Sequence, residues 1–240
     1  MTETTRVTAS DGGRVRDPAA DAHRWLGWFA LAAIIGMHAG TLFKPLGNLG
    51  ETRVADWIDL LTPFAVVGTA ALVISARPNR VAWWTFFVGA VAFTLGHGMH
   101  LSANSISNVA DDRVARADIV KLWDEVASHY VWYAGMYLIM VAIVVAVRQI
   151  TMPLSVWDRV VATLFAITLF DTYIEGAVPW MGLCFLASGL VAAWVWRPST
   201  VSRLVGWVAV VGLILMLAWG VGWYIADGKV FPEFSEVGWI

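Results

Sequence analysis

This chain of 240 residues has a single cysteine, few charged side chains and no excess of positive charge. Cys184 stands alone in an apolar run, which excludes an intrachain disulfide and a metal site built from several thiolates. With a formal net charge of −2, the chain lacks the excess of positive charge that is typical of nucleic-acid-binding proteins. Charged residues make up 14% of the chain. Because soluble proteins have about 25%, this scarcity argues against a water-soluble domain.

What the chain has in abundance is apolar sequence. Hydrophobic residues make up 59% of it, and the mean hydropathy is +0.67. A helix needs roughly 20 apolar residues to cross about 30 Å of hydrocarbon. A window of that length finds seven candidate spans, at residues 25–43, 55–76, 81–104, 126–147, 160–178, 180–196 and 204–226. The sequence therefore predicts an all-α integral membrane protein, a bundle of about seven transmembrane helices.

Three regions follow from this pattern. Residues 1–22 have too few apolar side chains to fold, so we predict a disordered cytoplasmic tail. Residues 23–228 form the predicted membrane domain, and residues 229–240 a short tail on the outer side. The long loop at about 105–124 joins the third and fourth spans. Apolar and charged residues mix in its part 111–122, which indicates a short interfacial helix that is either a lid over the bundle or a plain connector.

The lysines and arginines predict the orientation. With seven spans, the two termini lie on opposite sides of the cell membrane. Ten of the 16 basic residues lie on the N-terminal side and six on the other. Since basic residues concentrate in cytoplasmic loops, we expect the N-terminus in the cytoplasm and the C-terminus outside.

Polar and ionisable side chains gather at one end of these predicted helices. Odd spans end and even spans begin on the outer side, so residues at those points share a depth. A charged side chain in a span costs about 2.5 to 3.5 kcal/mol on insertion scales, so such residues usually face the interior and serve a site. The residues concerned are His38 on the first span, His97, His100 and Asn104 on the third, Glu125, His129 and Tyr133 on the fourth, and Asp171 and Glu175 on the fifth.

Histidines and a carboxylate at these spacings predict a metal site. Three imidazoles and one carboxylate are a complete ligand set for Zn²⁺, and such ligands also suit iron or copper. If the site exists, the ring nitrogens of His97, His100 and His129 converge on one ion. The alternative is that these are neutral histidines whose hydrogen bonds join helices. The candidate metal ligands are His97, His100, His129, Glu125 and His38.

A metal at this place predicts an enzyme of the hydrolase or oxygenase type. The metal would activate water or dioxygen against a lipid or another apolar small molecule at the outer membrane face. Glu175 or Asp171 would be the general base, because neither has a basic residue nearby in sequence. Asn104 or Tyr133 would polarise the substrate. The sequence predicts no nucleic-acid partner and leaves the oligomeric state open.

Two other functions fit the same residues. Two of the four histidines His38, His97, His100 and His129 could ligate a haem and make a redox module. Chains of acids and histidines also make relays in ion or proton transporters. A transporter needs polar groups across the whole membrane, and residues 142–147 and 190–194 offer almost none. Polar groups at only one end of the helices favour a localised binding or catalytic site over a transport pathway across the membrane.

Overall fold

The computed structural model describes residues 17–109 and 117–239 of the chain. In these residues, helical segments lie at each of the seven places where a span is predicted. The longer helices are α1 (Pro18–Met37), α4 (Thr62–Ala76), α5 (Arg80–Val109), α7 (Ser128–Val147), α8 (Val156–Glu175), α9 (Pro179–Val195) and α10 (Thr200–Asp227).

Short elements connect these helices at the end where the polar residues lie. Between α1 and α4 they are α2 (Ala39–Leu42), a 3-10 turn (Lys44–Leu46), an antiparallel pair of strands, β1 (Asn48–Leu49) and β2 (Thr52–Arg53), and α3 (Val54–Asp59). Before α7 come α6 (Asp118–Lys121) and a π-helical segment (Leu122–Ala127), and after α10 a 3-10 turn (Ser235–Val237).

Four helices are long and apolar enough to cross a membrane, counted within the described part of the chain. They are Val54–Ala76, Arg80–Ser107, Asp118–Val147 and Thr200–Asp227. The helix Pro179–Val195 is apolar but shorter. Large apolar side chains such as Trp84, Phe87 and Ile225 are exposed on the outside of the bundle. An apolar surface of this kind is typical of a protein covered by lipid, so the fold is that of a helical membrane bundle.

Local sequence signals begin and end several of these helices. Asp17 caps α1 by accepting a hydrogen bond from the Ala19 amide, and a proline follows at the first helical position. Ser155 and Asp158 form a capping box at the start of α8. Gly228 ends α10 in the left-handed region, at a φ of 68° that favours glycine.

Helices α5 and α7 pack closely against each other, and glycine makes this approach possible. A Cβ atom at Gly96 would overlap the Trp132 backbone nitrogen, and one at Gly135 would overlap the Phe93 backbone nitrogen. Small residues let helix backbones approach closely in membranes, where packing rather than hydrophobic burial joins helices. This contact brings the histidines of α5 next to those of α7.

The ends of the predicted regions differ from the structure. Helix α1 already begins at Pro18, within the predicted tail of residues 1–22; the part of that tail before residue 17 lies outside the described residues. In the predicted loop 105–124, α5 continues to Val109, and α6 runs through the π-helical segment into α7. The predicted interfacial helix at 111–122 is thus described only from residue 117, as the start of this longer helix.

The C-terminal residues 229–239 fold back onto the bundle. The Phe234 ring is buried, with its centroid 4.8 Å from that of Trp219. The Trp219 indole N–H donates to the Pro232 carbonyl at 2.9 Å. These contacts make the predicted tail a packed segment over the ends of α8 and α10.

Candidate functional site

His97 on α5 pairs with a carboxylate from the connection before α4. Its Nε2 atom lies 3.1 Å from Asp59 Oδ1, and only 1% of His97 is exposed. Asp59 also accepts a hydrogen bond from the Thr62 hydroxyl at 2.7 Å. Both polar groups of this buried pair are therefore satisfied by protein contacts.

His100, one turn further along α5, pairs with a different carboxylate. Its Nδ1 atom lies 2.9 Å from Asp124 Oδ1 and 3.2 Å from the Asp124 carbonyl oxygen. Asp124 belongs to the π-helical segment (Leu122–Ala127). Its contact with His100 ties α5 to the helix that leads into α7.

His129 on α7 bonds the backbone at the end of α8. Its Nδ1 atom lies 3.0 Å from the Gly176 carbonyl oxygen, so Nδ1 carries the proton and donates it. Tyr133 lies one turn away, and its hydroxyl donates to the Thr172 carbonyl at 3.1 Å. The hydroxyl proton of Tyr133 is thereby committed to the protein, which weakens its predicted role in polarising a substrate.

His38, between α1 and α2, contacts α8. Its Nε2 atom lies 3.2 Å from the Thr168 hydroxyl oxygen, and its Nδ1 atom 3.5 Å from Asp171 Oδ2. His38 and Asp171, a predicted metal ligand and a predicted base, thus contact each other across the α1 and α8 interface.

The remaining predicted site residues, Glu175, Glu125 and Asn104, lie in different environments. Glu175 Oε2 accepts a hydrogen bond from the Phe234 backbone N–H at 3.1 Å, a contact that no pattern in the sequence predicts. Glu125 is exposed, although it lies one turn before the buried His129. Asn104 is half-buried near the C-terminal end of α5. The predicted catalytic and metal-binding residues therefore lie at one end of the bundle, and the contacts of His38, His97, His100, His129, Tyr133 and Glu175 are with different partners.

Carboxylates concentrate around the folded C-terminal segment. Burial raises the pKa of Glu233 above its ordinary value, and the negative charges of Glu175, Glu236 and Glu125 raise it further. Lys121 opposes this shift. The end of the bundle that holds the histidines is thus acidic around Glu233.

The predicted shared ion finds no support in this arrangement. Within residues 17–109 and 117–239, no three histidine, cysteine, aspartate or glutamate side chains are placed to hold one metal ion. His97, His100 and His129 bond three different partners instead. Zinc, iron or copper at this place stays a prediction, and so does a haem.

The side chain that connects the three histidines is Trp132 on α7. Its ring centroid lies 5.0 Å from that of His97, 5.3 Å from His100 and 6.2 Å from His129. The rings of His100 and His129 are themselves 4.9 Å apart. Sequence position assigns Trp132 to an interfacial belt. Trp132 also follows His129 by three residues, and residues three apart lie on the same helix face. This spacing indicates a place in the histidine cluster.

A cavity lies toward the opposite end of the bundle, with a volume of about 610 Å³. Side chains of α1, α7, α8, α9 and α10 line it, and nearly all of them are apolar; examples are Phe29, Val144, Phe165, Leu186 and Val205. The sequence does not predict this space, because it forms between helices whose facing side chains do not meet.

Two polar pairs belong to the cavity wall. At its end, His23 Nε2 lies 2.9 Å from Asp158 Oδ1. Nearer the middle of the helices, the Tyr137 hydroxyl lies 2.8 Å from the Ser188 hydroxyl. Burial acts to raise the pKa of Asp158, which precedes the predicted span 160–178. Hydrogen bonds from Ser155 and the charge of His23 outweigh burial, so this pKa lies below its ordinary value.

No family model matches this chain, and neither do the curated proteins or the solved structures with which it was compared.

Proposed function

We propose that the chain is a membrane protein with seven crossing helices that binds an apolar small molecule taken from the bilayer. The observation that carries this proposal is the cavity of about 610 Å³. Small-molecule sites in proteins measure about 300 to 1,000 Å³ and are lined mainly by apolar side chains with a few polar groups. The cavity has this size and this lining.

The lining favours an apolar occupant over water or an ion. Each ionisable lining side chain already has a partner: His23 contacts Asp158, and Arg24 contacts Asp21. The hydroxyls of Tyr137 and Ser188 contact each other. A buried water needs two to four polar partners, and most of this wall offers none. The lining residues Trp157, Val191 and Val195 are also exposed, so the cavity opens at the bundle surface that lipid would cover. This opening gives a lipid-soluble molecule its route.

The histidines fit a structural role in this proposal. Each bonds a group on another helix or segment, and such interhelical hydrogen bonds are worth about 0.6 to 2 kcal/mol in membranes. The metal-dependent enzyme, the haem module and the transporter stay predictions, and no contact among the described residues favours any of them. Elemental analysis and an absorption spectrum of the purified protein test the metal and the haem.

Photolabelling tests the binding proposal. An aryl trifluoromethyl diazirine is apolar and inserts into nearby bonds when irradiated. We expect it to label peptides that line the cavity, and an excess of an unlabelled hydrocarbon to suppress this labelling saturably. Labelling of the lipid-facing surface, for example around Phe64, will not saturate.

Two matched variants sharpen the result. Ala162→Phe fills the cavity from α8, whereas Ala187→Phe adds the same ring on the exposed side of α9. Saturable labelling lost in Ala162→Phe and retained in Ala187→Phe supports the proposal. Labelling that never saturates means that only surrounding lipid contacts these helices, and the proposal fails.

A further inference from the structure

The hydroxyl pair in the cavity wall has a defined direction. Ser188 Oγ lies 2.7 Å from the Phe185 carbonyl oxygen, which can only accept a hydrogen bond. A serine hydroxyl carries one proton, so Ser188 gives that proton to Phe185. The Tyr137 hydroxyl, 2.8 Å from Ser188 Oγ, is then the donor of their mutual bond. Both hydroxyl protons are committed to the protein.

What remains at this point of the cavity is an acceptor. The oxygen of Tyr137 keeps its lone pairs, since it only donates in the bond to Ser188. The ring of Tyr137 is stacked on that of Phe185, with centroids 4.0 Å apart and planes within 14°. This stacking holds the oxygen at the junction of α7 and α9. Tyr137 and Ser188 both line the cavity.

We propose that the ligand is a neutral, mostly hydrocarbon molecule with a hydroxyl group, and that this hydroxyl donates to Tyr137 Oη. This inference rests on the proposed function, because it names the class of ligand for the same cavity. The oxygen of a ketone, ester or ether can only accept a hydrogen bond. At this point both hydroxyl protons already bond within the protein, so none is left for it. Among the described residues, a carboxylate would meet no cation beside Tyr137, and the basic side chains at the cavity's end, His23 and Arg24, already contact Asp158 and Asp21. A long-chain alcohol satisfies both the apolar wall and the acceptor.

The test is competition between three compounds of one chain length. Hexadecanol, its methyl ether and hexadecane each compete with the diazirine for cavity labelling of the full-length protein in lipid nanodiscs. One neutral hydrogen bond contributes about 0.5 to 1.5 kcal/mol. We therefore expect hexadecanol to compete about three- to tenfold better than its ether.

Three variants assign this preference to the proposed oxygen. Tyr137→Phe removes the acceptor, so the ratio between alcohol and ether should fall to about one. Ser188→Ala frees the Tyr137 proton to bond the ether oxygen. The ether should then compete better, so the ratio between alcohol and ether should fall in this variant as well. Tyr130→Phe removes an exposed hydroxyl on the same helix outside the cavity, and the parent ratio should persist.

The outcomes separate this inference from the proposed function. If alcohol, ether and alkane compete equally in the parent, or the ether competes best, the hydroxyl ligand is wrong while apolar binding stands. A preference for alcohol that persists in Tyr137→Phe also overturns the assignment. If no compound suppresses labelling saturably, the proposed function fails together with this inference.

Discussion

At the scale of single residues, histidine joins parts of the bundle that are distant in sequence. All five histidines lie in the described residues, and each contacts a group on another helix or segment. The contacts are His23 with Asp158, His38 with Asp171 and Thr168, His97 with Asp59, His100 with Asp124, and His129 with the Gly176 carbonyl. A buried polar group without a partner is costly, so each pair also fixes where its two segments meet.

The pair of His97 and Asp59 gives a residue-scale prediction. Asp59→Ala leaves the buried His97 ring nitrogen without its partner, which should lower the free energy of unfolding by about 1 to 3 kcal/mol. Asp21→Ala is the control, because it breaks an exposed ion pair with Arg24, and such pairs contribute about 0 to 1 kcal/mol. Thermal unfolding of both variants in one detergent measures the difference. Equal shifts in the two variants would contradict a structural role for the buried pair.

Residue spacing predicts part of the histidine cluster. Positions i and i+3 or i+4 share a helix face, and the rings of His100 and His129 do lie 4.9 Å apart across α5 and α7. Spacing cannot identify the group that each ring nitrogen meets. Asp59 is 38 residues from His97, and Gly176 is 47 residues from His129. These partners depend on how whole helices rotate and approach, which the pattern within one helix does not contain.

At the scale of elements, hydropathy predicts where helices lie better than where they end. The apolar run of the third span stops near residue 104, yet α5 continues to Val109. A hydropathy window measures the apolar length that fits a bilayer, whereas a helix continues through polar residues until a cap, glycine or proline stops it. For this reason the helix of the fourth span begins at α6, eight residues before the predicted start at 126.

The glycines of α5 give an element-scale prediction. Gly96→Ala places a methyl group against the Trp132 backbone, which cannot give way as a side chain can. We expect it to lower the free energy of unfolding by about 3 kcal/mol, the upper end for overpacking. Gly98→Ala, in the same helix with no atom within 4 Å of its Cβ, should be neutral or stabilise by up to about 1 kcal/mol. Unfolding measurements on both variants test this, and similar losses would show that the α5 and α7 contact is looser.

At the scale of the whole molecule, the bundle has two unlike ends. Histidine contacts hold α5, α7, α8 and the first connection together at one end. Toward the other end, apolar side chains surround a cavity instead of meeting. The polar cluster and the proposed binding cavity thus lie toward opposite ends of one bundle, and only the first has a signal in the sequence.

The crossing count and the orientation give the whole-molecule prediction. Ten basic residues on the N-terminal side against six on the other predict that the N-terminus, and the connection between α7 and α8, lie in the cytoplasm. Alkaline phosphatase, which is active only outside the cytoplasm, should be inactive when fused after Met152 and active when fused after Ile240. A fluorescent protein that folds only in the cytoplasm should give the opposite pair of results. If both sites are reversed, the orientation is wrong. If only the fusion after Ile240 is reversed, α8, α9 and α10 cross the membrane an even number of times, and the bundle does not have seven crossings.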